Sequence, residues 1–156
     1  MKLLSPVLAF LALTAATAAH AAPAVGDQVA FQGTWDGQAV WQGISFTGYN
    51  AQTAQYRQVT VTKIGTNAPA TQEDWVDAKD TASDAALQYI VANCAAQYGV
   101  PQTITVPAGT FNTCKMALQQ GGHVWVGQVP FAVVRIESPV QGKLLTAELT
   151  GFTRGQ

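Results

Sequence analysis

Across 25–64 the apolar residues recur largely at every second position, and that spacing narrows the fold most. In 28–35, Val29, Phe31 and Trp35 alternate with polar or small residues; in 56–64, Val59 and Val61 oppose Thr60 and Thr62. Period two places side chains on one face of a pleated strand, and the β-branched content suits that surface. The runs are short and separated by turn chemistry. Asp36-Gly37 signals a two-residue hairpin, because both central positions of its turn require φ > 0. Tyr49 to Thr53 is a polar turn, Pro107-Ala108-Gly109 joins a fixed φ to a permissive one, and Gly121-Gly122 and Gly142 divide the rest. This punctuation predicts strands over 28–35, 39–46 and 56–64, then over 103–106, 110–118, 123–129, 131–137 and 144–152.

The exception lies between these two groups. Across 85–98, Leu87, Ile90, Val91, Cys94 and Ala95 recur at three- and four-residue spacing, which is one face of an amphipathic helix. Ser83 can cap its start, Asp84 favours the first turn, and Gly99 with Pro101 beyond suits its end. Thr71 to Asp74 also reads as a helix start. The expected fold is therefore α+β: a curved antiparallel sheet of about eight strands, a half-barrel, with one amphipathic helix inserted after the third strand.

Met1-Lys2, an uncharged apolar run to Ala18 and Ala19-His20-Ala21 have the order of a cleavable signal peptide, with cleavage before Ala22. Residues 1–21 are expected to be a leader and 22–156 a single domain, periplasmic or secreted. The apolar run is too short, and too rich in Ala and Thr, to favour a transmembrane anchor. Cys94 and Cys114 are the only cysteines, and both fall in the exported part. In an oxidising compartment that favours a disulfide, two buried free thiols being the alternative. The bridge would staple the helix to the second strand after it.

After cleavage, seven basic side chains face nine acidic ones. A nucleic-acid binder needs a clustered basic surface, and this balance argues against one. His123 is the single imidazole beyond the leader, with no nucleophile motif around it, so no catalytic residue is assigned. Glu73, Asp74, Asp77, Asp80 and Asp84 lack the spacing of a calcium loop and read as solvated acids. No metal and no cofactor are expected, and the chain is not expected to be an enzyme.

Several strands after the helix are apolar on both faces: Val124 and Val126 oppose Trp125 and Val129. A sheet with one wet face is polar on that face. Either the sheet curls over itself, or its concave side holds something apolar. Trp35, Trp41, Phe46, Trp125 and Phe131 are candidates to line such a pocket, with ordinary core packing as the other reading.

The segments Thr103-Ile-Thr-Val-Pro-Ala-Gly-Thr-Phe-Asn-Thr-Cys-Lys115, Val124-Trp125, Val129-Pro-Phe-Ala-Val-Val-Arg135 and Ala147-Glu-Leu-Thr150 resemble exported bacterial proteins with a PAGTF…CK and VPF…VVK pattern. Those are distantly similar to the LolA-like and LppX-like lipoprotein-carrier half-barrels. The resemblance spans roughly 90–152 and implies a bent antiparallel sheet, a helix on its concave side and a greasy cavity for acyl chains. No functional residue of the carriers maps onto a position here. The expected function is non-catalytic binding of a lipid-like or other apolar molecule. The alternative is an interaction or scaffold domain with an envelope protein partner, and an extracytoplasmic hydrolase ranks last.

Overall fold

The tight turns divide the chain into two meanders that meet through its first and last strands. A computed structural model describes residues 23–155; the leader assigned to 1–21 lies outside them. The elements are β1 (Gln28–Trp35), β2 (Gln38–Asn50), β3 (Gln55–Ile64), β4 (Ala70–Asp77), α1 (Asp84–Ala92), β5 (Val100–Val106), β6 (Gly109–Ala117), β7 (His123–Val126), β8 (Val133–Val140) and β9 (Lys143–Thr153). All nine strands form one antiparallel sheet in the order β4-β3-β2-β1-β9-β8-β7-β6-β5.

Local chemistry explains the turns. Asp36 and Gly37 take φ of 53° and 74°, as the β1–β2 hairpin requires, and Gln141 and Gly142 do the same between β8 and β9 at 53° and 75°. Asn50 accepts the backbone N–H groups of Gln52 and Thr53 at the β2–β3 turn. The Ser83 hydroxyl accepts the Ala86 N–H at 3.2 Å and so caps α1. Arg154 donates to both Asp84 carboxylate oxygens at 2.6 and 2.8 Å, tying the end of β9 to the start of α1.

The structure corrects the expected count and order: among the described residues there are nine strands rather than about eight, and the helix follows the fourth strand rather than the third. The segment around Thr71 to Asp74 is not a helix start but β4, paired with β3 from Gln55↔Asp77 to Thr62↔Ala70. A full ladder of backbone hydrogen bonds outweighs one capping signal, and the acids suit an exposed edge strand. The helix is also shorter than its periodicity implies. It stops at Ala92, and Cys94–Gln97 tighten into a 3-10 turn that ends on Tyr98 at φ 58°. Strand β7 ends at Val126 and β8 starts at Val133, because Phe131 and Ala132 turn the chain at φ 59° and 67°.

Close approach and bulges curve the sheet. A Cβ on Gly33 would lie 1.7 Å from the Thr146 carbonyl oxygen, so β1 and β9 meet there only because position 33 has no side chain. Register shifts at Ala30/Phe31, Phe46/Gly48 and Trp125/Val126 add local twist. The β5–β6 turn curls back far enough for the Ala108 N–H to reach the Leu149 carbonyl at 3.1 Å.

Helix α1 buries Leu87 and Ile90 in a core with Val124, Val126, Val133 and Leu149. Cys94 and Cys114 are disulfide-bonded, with Cα atoms 5.3 Å apart, and so link the turn after α1 to β6. Gly99 is required here for space rather than as a helix stop: a Cβ would sit 2.3 Å from the Cys114 sulfur. No helix among the described residues is long and apolar enough to cross a membrane.

Two outcomes follow from this packing. Gly33→Ala should destabilise the protein by about 3 kcal/mol, because the methyl group must push two central strands apart; denaturant unfolding of the two forms measures it. Replacing both cysteines by alanine should cost roughly 3 kcal/mol, and intact mass under non-reducing conditions should show no free thiol in the native protein.

Candidate functional site: an apolar hollow on the inner face

The cross-strand register assigns faces without ambiguity. On the inner face, Trp35 lies opposite Leu145, Gly33 opposite Val40 and Ala147, and Phe31 opposite Gln42. Ile136 continues this face from Ala147, while Ile64 and Thr62 continue it from Val40 and Gln42. Helix α1 covers the β6–β7 end of this face. The β3-β2-β1-β9-β8 part is left with a shallow, partly open hollow, whose enclosed volume is about 30 Å³.

Ala147 contributes only a methyl group to the hollow, between the larger Leu145 and Ile136. Phe31, Trp35, Val133 and Leu145 stand around it, with Val40 and Ile64 on the far strands. Trp35 is held by its indole N–H, which donates to the Val140 carbonyl at 3.2 Å. The two polar lining side chains are neighbours: the Gln42 amide donates to the Thr62 hydroxyl at 3.0 Å.

Of the five aromatics expected to line a pocket, only Trp35 does so. Trp41 lies on the outer face, in one cross-strand row with Lys63 and Gln32. Its ring leans over Gly43, where a Cβ would meet it at 2.9 Å. Trp125 is also on the outer face and is only 4% exposed. The Lys115 ammonium and the Arg135 guanidinium lie 5.0 and 4.9 Å from its ring centre, and its N–H donates to the Gln102 side chain at 2.7 Å. The second apolar face of β7 is thus covered by cationic side chains of the protein itself.

Phe46 and Phe131 do meet, with ring centres 4.5 Å apart, but in an aromatic cluster that also takes in Tyr56 and Tyr49. There the protein fills its own interior. The Tyr56 hydroxyl donates to the Pro23 carbonyl. Beside it, the buried Asp27 carboxylate accepts the Ala24 N–H at 3.0 Å and the Gly155 N–H at 2.8 Å. One carboxylate therefore holds both ends of the described chain.

Val40, Gln42, Thr62 and Ile64 were missed by sequence reasoning, although the signal was present. A two-residue Asp36-Gly37 hairpin pairs Trp35 with Gln38, so the face of Trp35 continues at 40 and 42 and not at 41. Among the described residues, no group of three or more His, Cys, Asp or Glu side chains converges to hold a metal ion.

Comparison with protein-family models, curated proteins and solved structures gave no match. The site therefore has to be interpreted from its own geometry.

Burial, followed by the charges of Tyr49 and Asp27, raises the Tyr56 phenol above its ordinary 10.0. The phenol of the unfolded chain ionises first as pH rises. The stabilisation is therefore complete below the ordinary value and is lost as pH climbs through the raised one. Denaturant midpoints measured across the alkaline range should fall in the native protein and fall less in Tyr56→Phe.

Proposed function

We propose that this is an exported, non-catalytic protein of half-barrel type that binds a small apolar or amphipathic molecule in the hollow between β3 and β8. The observation that carries the reading is a partly open hollow on the inner sheet face, away from α1, where Trp35, Val40 and Ile64 stay half-buried above the buried Phe31 and Leu145. The apolar area these half-buried side chains leave in water costs free energy, and an apolar guest would cover it. The disulfide supports export, since such bonds persist in oxidising compartments. It also fixes the turn after the helix to β6, at the other end of the sheet from β2 and β3.

A second reading, docking of an envelope protein, is favoured by Trp75, which is 53% exposed on the edge strand β4, away from the hollow.

Titration with 1-decanoylglycerol tests the first reading. Tryptophan emission should change saturably, because Trp35 borders the site. Val40→Asp should weaken binding by about tenfold or more, since it sets an unpaired charge against the guest, while circular dichroism stays unchanged. An emission spectrum unmoved at high micromolar probe would end the proposal. Binding that survives Val40→Asp but is lost in Trp75→Ala would move the site to the outer surface.

A further inference from the structure

We infer that the hollow selects an uncharged amphipath, with a neutral hydroxyl or amide head on an apolar body, and that Gln42 and Thr62 receive the head. This rests on the binding reading above and specifies what that site takes.

Three observations lead to it. First, no lining residue of the hollow is charged. Lys63 follows Thr62 in sequence but faces outward beside Trp41. Asp36 and Lys143, in the turns next to Trp35 and Leu145, are ion-paired with each other. A carboxylate entering the hollow would lose water and meet no free cation, a cost that ordinarily keeps ions out.

Second, the two polar lining residues lie directly opposite each other on β2 and β3. Third, their mutual hydrogen bond is the single one these side chains make among the described residues. It consumes one amide hydrogen and one hydroxyl lone pair. The Gln42 carbonyl oxygen, its second amide hydrogen and the Thr62 hydroxyl hydrogen remain available, so the pair offers both an acceptor and donors. A hydroxyl head can use both functions. A pure alkane would cover these groups and leave them unpaired, which is unfavourable.

The test compares 1-decanoylglycerol with decanoate at mildly alkaline pH, where decanoate is ionised, by tryptophan emission and by calorimetry. The neutral probe should bind about tenfold more tightly or better. In Gln42→Met/Thr62→Val, which keeps shape and removes the polar pair, decanoylglycerol should weaken towards decanoate while decanoate is unchanged. Equal affinities in the native protein, or a preference that survives in the variant, would overturn the head-group assignment and leave the binding reading standing. Binding of neither probe would remove both.

Discussion

The pairing of β1 with β9 is the contact on which the rest of the structure depends. It joins residues at opposite ends of the chain, from Gln28↔Thr153 to Trp35↔Leu145, and without it each meander is a separate, half-exposed sheet. The hollow straddles this seam: Phe31 and Trp35 come from one side of it, Leu145 and Ala147 from the other. Gly33 lets the two strands approach, because the β9 backbone at Thr146 occupies the place a side chain would take. Contacts this distant in sequence also carry a large loop-closure cost, so folding is expected to be slow for a chain of this size.

The other half of the sheet solves a different problem. Strand β7 carries apolar residues on both sides, and each side is covered by a different device. Helix α1, held by the Cys94–Cys114 bridge and by the Arg154–Asp84 ion pair, covers the inside. Outside, Trp125 lies between Lys115 and Arg135, whose charges stay at the surface while their stems shield the ring. Neither device extends over β2 and β3. Phe31, Val133, Ile136 and Ala147 of the hollow belong to the buried core, and the half-buried rim of Trp35, Val40 and Ile64 above them is what makes it a candidate site.

Much of this was legible in the residues, and what was not has identifiable causes. Strand periodicity, the Asp36-Gly37 turn, the break at Gly142, the Ser83 cap and the cysteine pair all rest on local rules, and each corresponds to a feature of the fold. The strand β4 did not declare itself, because Thr71 and its following acids satisfy a helix-start rule equally well, and only pairing with β3 decides between them. The aromatic pocket was inferred from residue type, whereas the hollow is defined by register. Size alone could not show that Trp41 and Trp125 face outward, or that the small Ala147 lies in the hollow that large residues were expected to line.

The Asp27 carboxylate, with Ala24 on one oxygen and Gly155 on the other, has a topological consequence. Residues 24 and 155 share one corner of the molecule, so a short linker could join them and new ends could be opened at the Gly121-Gly122 turn. In such a rearranged chain β9 would run directly into β1, and the most distant pairing of the natural order would become a nearest-neighbour hairpin. The central seam would then form early, with little entropy lost to loop closure, which shows that its remoteness is a property of where the chain is cut and not of the architecture.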